Sequence, residues 1–107
     1  MTAKDLTSLG FKAISLPDEN REIKGAYIGD LLSWVMGRAK ADDAWVTIMS
    51  NINVIAVASL ADVACVILAE GVVFDQDCID KAIEKNINVL VSDLPIYETA
   101  VEISKHI

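Results

Sequence analysis

The sequence predicts an α/β domain with one mostly parallel sheet flanked by helices. Strand-like and helix-like segments alternate three times between residues 44 and 105, a pattern that gives parallel strands joined by right-handed crossovers. The strand-like segments 44–49 and 63–68 are nearly continuous apolar runs, which is typical of strands buried on both faces. Apolar residues make up 53% of the 107 positions, and this length and composition indicate a single domain over residues 1–107.

The amino-terminal part is predicted to form a short helix and two strands. Thr2 can cap a helix over residues 2–9, and Gly10 is placed to end it. Segment 11–15 roughly alternates between apolar and polar residues, and segment 23–28 is a weaker strand candidate. Because both precede the regular alternation, we expect them to join the sheet at an edge or on its far side.

The next helix is predicted over residues 31–38, directly after the Gly29 that closes the second strand. Asp30 is expected to cap this helix. Its apolar positions fall on one side and are Leu31, Leu32, Val35 and Met36.

Segment 51–61 is consistent with either a strand or a helix. Valine and isoleucine favour a strand, whereas a capping Ser50 or Asn51, four alanine or serine positions and eleven residues of length favour a helix. We predict a buried helix, because it preserves the alternation of elements. Polar residues interrupt the charge-free run 44–61, so we do not expect it to span a membrane.

The remaining elements follow from clear capping signals. Asp75 is expected to cap a helix over residues 75–85 that turns Ile79 and Ile83 inward. A strand is predicted over 88–92. The last helix, over residues 94–105, tolerates a proline in its first turn.

The charge balance disfavours polyanionic partners, and the cysteine content argues against two kinds of structural site. Nine basic and sixteen acidic side chains give a net charge of −7, which disfavours nucleic acid and anionic membrane surfaces. Two cysteines without a nearby histidine argue against a disulfide framework and against a zinc site. The polar amino terminus does not resemble a signal peptide, and we expect a cytoplasmic protein.

Ligands of open α/β sheets bind beyond the carboxyl ends of the parallel strands. Four predicted loops lie there, and each is also explained as a turn or a helix cap. Three of their residues are carboxylates and none is a cation, so a small metabolite or a magnesium-bridged nucleotide is a better candidate than a bare phosphate. The candidate ligand-binding residues are Gly29, Asp30, Ser50, Asn51, Asn53, Glu70, Gly71, Ser92 and Asp93.

Catalysis has little support in the sequence. Neither a phosphate-binding loop with lysine nor a dinucleotide-binding glycine motif is present, and we expect no cofactor, no metal and no enzymatic activity. The single histidine, His106, is the penultimate residue. Cys65 lies in an apolar strand and should be inert, whereas a helix dipole could lower the pKa of Cys78.

The apolar content exceeds what a thin sheet can bury, which predicts an interface between two copies of the chain. The residues expected there are Trp34 and Met36 on the predicted helix 31–38 and Val54 and Val57 on the predicted helix 51–61.

Several strings resemble DRTGG domains. They are residues 27–33 (YIGDLLS) with 35–37 (VMG), the central stretch 44–71 ending in CVILAEG, and residues 89–100 (VLVSDLPIYETA). The resemblance covers residues 23–105. It implies a fold similar to the amino-terminal domain of HPr kinase/phosphorylase and a regulatory role beside other domains such as CBS domains.

The resemblance also implies limits. The family tends to place an Asp-Arg pair where this chain has Asn51 and Ile52, and the missing arginine removes a cation from the loops. The sequence therefore predicts a non-catalytic regulatory or ligand-sensing homodimer that binds a nucleotide or small metabolite. Because small relatives occur beside iron hydrogenase and NADH-linked redox subunits, the alternative is an assembly subunit of a redox complex with no ligand of its own.

Overall fold

One five-stranded sheet runs through the structure, a computed structural model that describes residues 1–107. The elements in chain order are a 3-10 helix Ala3–Leu9, β1 Lys12–Ser15, β2 Gly25–Ile28, α1 Leu32–Arg38, β3 Asp43–Thr47, α2 Asn53–Ala61, β4 Cys65–Leu68, α3 Gln76–Glu84, β5 Val89–Val91 and α4 Ile96–Ser104. The strand order is β1-β5-β4-β3-β2. Strands β2 to β5 are parallel, and β1 pairs with β5 in the antiparallel sense. The predicted fold class is confirmed.

The two early strands occupy the two edges of the sheet, as expected. Strand β2 lies beside β3, with Tyr27 opposite Trp45. Strand β1 lies beside β5 at the other edge, and its register shifts between Ala13 and Ser15. The three crossovers from β2 to β5 therefore add neighbouring strands in one direction across the sheet.

Helices cover both faces of the sheet. Alternate side chains of a strand point to opposite faces, so Trp45 packs with α1, α2 and α3, while Val46 packs with the 3-10 helix and α4. Both residues are fully buried. Since helices cover both faces, the central strands are apolar at successive positions, which explains the continuous apolar runs in the sequence.

Local capping signals fix several helix ends. The backbone N–H of Thr2 donates to the Asp5 carboxylate at 2.9 Å, and Gly10 ends this 3-10 helix with a φ of +92°. Asp75 accepts a hydrogen bond from the backbone N–H of Cys78 at 2.9 Å, so the predicted cap of α3 is confirmed.

Two predictions about helix faces are partly wrong. On α3 the predicted Ile79 does pack against the core, but Ile83 is 53% exposed, and the fully inward residues are Cys78 and Ala82. On α1 Val35 is buried and Leu32 packs against the core as predicted, whereas Leu31 and Met36 are exposed. Residues 44–61 form β3, a loop and α2, and no helix reaches the length and apolarity that crossing a membrane requires.

Candidate functional site

The loops after β2, β3, β4 and β5 lie along one edge of the sheet, because these four strands are parallel. These loops form the carboxyl edge of the sheet and contain eight of the nine predicted ligand-binding residues, and the ninth, Asn53, is the first residue of α2. The hydrogen bonds of each loop decide whether its polar groups are available to a ligand.

Asp30 connects the ends of two strands. Its Oδ1 accepts hydrogen bonds from Thr47 Oγ1 at 2.7 Å and from the backbone N–H of Ile48 at 3.0 Å. The predicted capping role is wrong, because α1 begins after Leu31 and Asp30 is held by the β3 end instead. The carboxylate therefore serves as a tie between β2 and β3.

Gly29 packs closely against Tyr27. Its carbonyl oxygen accepts a hydrogen bond from Trp45 Nε1 at 2.9 Å. A Cβ at this position would lie 2.9 Å from Cε2 of Tyr27, so any larger residue would displace that ring.

The loop before α2 satisfies its own helix start. The side-chain oxygen of Asn51 accepts from the backbone N–H of Asn53 at 2.9 Å, and its carbonyl oxygen accepts from Val54 at 3.1 Å. The N–H groups predicted to hold an anion are therefore occupied, and Ser50 contributes only a carbonyl oxygen, 3.8 Å from Cys78 Sγ.

The ends of β4 and β5 lie side by side at this edge. Their connections lead to helices on opposite faces, α3 and α4, so the two loops diverge beyond the strand ends, where open α/β sheets bind ligands. Here the crevice is bridged by the backbone, since Glu70 donates to the carbonyl of Leu94 and Gly71 donates to that of Ser92, both at 2.9 Å. Glu70 and Gly71 adopt left-handed conformations, with φ of +60° and +71°.

The Glu70 carboxylate also occupies the amino terminus of α4. Its Oε2 accepts from the backbone N–H of Ile96 at 2.9 Å, the position that an anionic ligand would take. Ser92 is buried and shares a hydrogen bond with Thr99 at 2.8 Å, whereas Asp93 is exposed.

The predicted acidic residues do not meet. No group of three histidine, cysteine, aspartate or glutamate side chains is arranged to hold a metal ion. Glu70, Gly71 and Ser92 are brought together by backbone bonds, and Asp30 lies with Thr47 at another part of the edge. Internal hydrogen bonds thus engage most of the predicted residues at the carboxyl edge, while Asp93 remains exposed.

A groove with a volume of about 400 Å³ lies between α2 and α3. Of the predicted site residues, only Asn53 lines it. The lining residues are Ile52, Asn53, Ile55, Ala56, Ser59, Leu60, Lys81 and Lys85.

The groove is basic on its α3 side. Lys81 Nζ lies 3.6 Å from the Glu84 carboxylate, in a pair that is largely exposed, and Lys85 is the C-cap of the helix. No carboxylate is among the lining residues. Sequence reasoning missed the groove because it searched strand ends, although the spacing of Lys81 and Lys85 by four is a visible signal for one helix face.

Both thiols are buried. Burial raises the pKa of Cys65 to about 12. Burial, followed by the neighbouring Asp75 carboxylate, raises the pKa of Cys78. The prediction that a helix dipole could lower the pKa of Cys78 is therefore wrong, since these effects act in the opposite direction.

The predicted interface residues separate into two groups. Trp34 and Met36 are 53% and 49% exposed, and the guanidinium of Arg38 lies 3.7 Å from the centre of the Trp34 ring. The prediction for Val54 and Val57 is wrong, because both are buried inside the subunit in the core beneath α2 and cannot contact a partner.

No family model and no curated protein matches the sequence. The structure is similar to the crystal structure of the CBS and DRTGG domains of the regulatory region of Clostridium perfringens pyrophosphatase, complexed with its activator diadenosine tetraphosphate. The TM-score is 0.73, the sequence identity is 14%, and the match covers 94% of this chain and 44% of that one. This chain therefore spans less than half of its structural neighbour. The likeness confirms the predicted DRTGG-like fold.

Proposed function

We propose that this protein is a non-catalytic, cytoplasmic regulatory domain that senses a nucleotide or a related small metabolite. The observation that supports the proposal most directly is its fold, which is shared over 94% of the chain with a nucleotide-activated regulatory region. In that region, a DRTGG domain accompanies CBS domains. A sensor of this kind needs a ligand site and a surface that transmits occupancy to a partner, without chemistry of its own.

The state of the potential catalytic groups supports a non-catalytic role. A nucleophile has to be deprotonated or activated by a neighbouring base, whereas burial raises the pKa of both thiols. His106 lies exposed beyond the last helix. Asp30 and Glu70 accept hydrogen bonds from neighbouring loops, so their carboxylates are used in holding the carboxyl edge together.

Exposed apolar side chains support the proposal that the sensor is a homodimer. Leu31, the N-cap of α1, and Trp34, within α1, are more than half exposed. Ile28, at the end of the edge strand β2, is 48% exposed. Exposed apolar area of this kind usually marks an interface. Because β2 forms one edge of the sheet, a second copy could approach this side without obstruction from another strand.

A thermal-shift screen of nucleotides, dinucleotides and common metabolites, with and without magnesium, tests the proposed function. A ligand present at about 100-fold above its Kd adds about 2.7 kcal/mol of stability, which raises the Tm of a domain this size by about ten degrees or more. We expect at least one nucleotide to produce such a shift. A panel without any shift would contradict the sensor function and favour an assembly subunit, whose exposed apolar side chains would bind another protein, such as a redox enzyme.

A further inference from the structure

We infer that the regulatory ligand binds in the groove between α2 and α3, and that it is an organic phosphate with an apolar ring. The inference rests on the proposed function, for which it names the site and the ligand class. It differs from the sequence prediction, which placed the ligand at the carboxyl edge, where internal hydrogen bonds occupy most of the polar groups.

The charge of the groove favours an anion. Lys81 and Lys85 are four positions apart on α3 and therefore lie on the same side of the helix. No carboxylate lines the groove, although the chain as a whole has a net charge of −7. Lys81 pairs only with the exposed Glu84 at 3.6 Å, an interaction that a phosphate can replace at little cost.

The α2 side of the groove favours an apolar ring. Ile52, Ala56 and Leu60 follow one another at intervals of four, so they form a stripe along one face of α2. Ala56 is the smallest of the three and lies between two larger exposed side chains, of which Leu60 is 71% exposed. A flat ring lying on Ala56 would cover apolar surface that water now contacts, at a gain of roughly 25 cal/mol per Å².

Polar groups suited to orient a ligand stand beside the stripe. Asn53 and Ser59 line the groove, and both residues are exposed. The groove volume of about 400 Å³ lies within the range of roughly 300–1,000 Å³ that is usual for small-ligand sites. An apolar wall, a few polar groups and a cationic end are the groups that would contact the ring, the hydroxyls and the phosphate of a nucleotide.

Calorimetric titration with AMP, ATP and adenosine tests the inference. We expect AMP and ATP to bind the wild-type chain, and adenosine, which lacks the phosphate, to bind at least about tenfold more weakly. The double variant Lys81→Ala/Lys85→Ala should weaken AMP and ATP binding by about tenfold or more. Leu60→Asp, an exposed position that tests the apolar wall, should weaken it as well.

Lys105→Ala is the matched control, since Lys105 and Lys85 are the C-cap residues of two nine-residue helices. This variant should leave both affinities unchanged. Equal weakening by Lys105→Ala would indicate a general charge effect and would overturn the groove site.

The outcomes separate the inference from the proposed function. If a nucleotide binds but the double lysine variant retains full affinity, the groove is not the site, while the sensor function stands. If adenosine binds as tightly as AMP, the ligand class is wrong. If neither these probes nor any compound in the thermal-shift panel binds, both the groove site and the sensor function fail.

Discussion

Asp30 and Thr47 join the ends of two neighbouring parallel strands through a hydrogen bond of 2.7 Å. The same carboxylate oxygen accepts from the backbone N–H of Ile48 at 3.0 Å. Thr47 is buried, and its hydroxyl also accepts from the backbone N–H of Met49 at 3.2 Å. The two bonds to Asp30 tie the end of β2 to the end of β3, so Asp30 has a structural role at an edge where a ligand contact was expected.

Asp30→Ala should therefore lower the free energy of unfolding by about 1–3 kcal/mol, because it leaves the buried Thr47 hydroxyl and the Ile48 N–H without their acceptor. Urea denaturation measures this change. A double-mutant cycle with Thr47→Val should give a coupling energy of at least about 0.5 kcal/mol. Asp93→Ala, at an exposed position, is the control and should change stability by less than about 0.5 kcal/mol. Equal stabilities of the two alanine variants would show that the tie contributes nothing.

Asp75 should make stability depend on pH in the acid range. The hydrogen bond from the Cys78 N–H holds the pKa of Asp75 below its ordinary value of 3.8. A depressed pKa in the folded state adds stability that is present above 3.8 and is lost as the pH falls through the folded-state pKa. Asp75→Asn keeps the capping oxygen but does not titrate.

The urea midpoint of Asp75→Asn should consequently fall less than that of the wild type as the pH is lowered from about 5 through 3.8 and below, where the wild-type carboxylate becomes protonated. Asp93→Asn is the matched control and should follow the wild type. Parallel curves for wild type and Asp75→Asn would contradict the assigned role of the cap.

The two cysteines should be unreactive in the folded protein. Burial raises the pKa of Cys65 to about 12 and also raises that of Cys78, which disfavours the reactive thiolate of both at neutral pH. A colourimetric disulfide reagent should label both only after denaturation. Ser33→Cys, at an exposed position, should add one rapidly labelled thiol, and rapid labelling of the native wild type would disprove the assignment.

Sedimentation equilibrium tests the proposed homodimer. We expect the wild-type chain to be dimeric and Trp34→Glu to be monomeric, because a charge within an apolar interface is costly to desolvate. Ile83→Glu changes a side chain that is equally exposed but lies on α3, and it should remain dimeric. A monomeric wild type, or a dimer unaffected by Trp34→Glu, would contradict this interface.

Local chemistry made most of the fold predictable. Gly10 ends the 3-10 helix through its own left-handed conformation, and Asp75 caps α3 by bonding to Cys78, three residues away. A local turn or cap pattern is therefore sufficient to predict both. Asp30 matches the same cap pattern, but its partner Thr47 is 17 residues away. Competition from a neighbouring strand cannot be deduced from a local pattern, and for this reason the role of Asp30 was assigned incorrectly.

The groove was unpredictable for a related reason. The face of α3 is fixed by packing, and Cys78 and Ala82 turn inward while Lys81 lies beside α2. Helical periodicity places Lys81 and Lys85 on one face of α3 but does not predict which helix packs against that face. That information comes from strand order, since β3, β4 and β5 are neighbours and their connecting helices α2 and α3 pack on the same face of the sheet.

A residue-resolved NMR titration of the isotope-labelled chain with AMP tests the central claim most directly, because it tests both binding and location. The account predicts that backbone amide shifts concentrate in residues 52–60 and 81–85, which form the groove. Shifts confined to the carboxyl edge, around Asp30, Glu70 and Ser92, would place the ligand elsewhere. No shift with AMP at millimolar concentration would contradict nucleotide sensing at the groove.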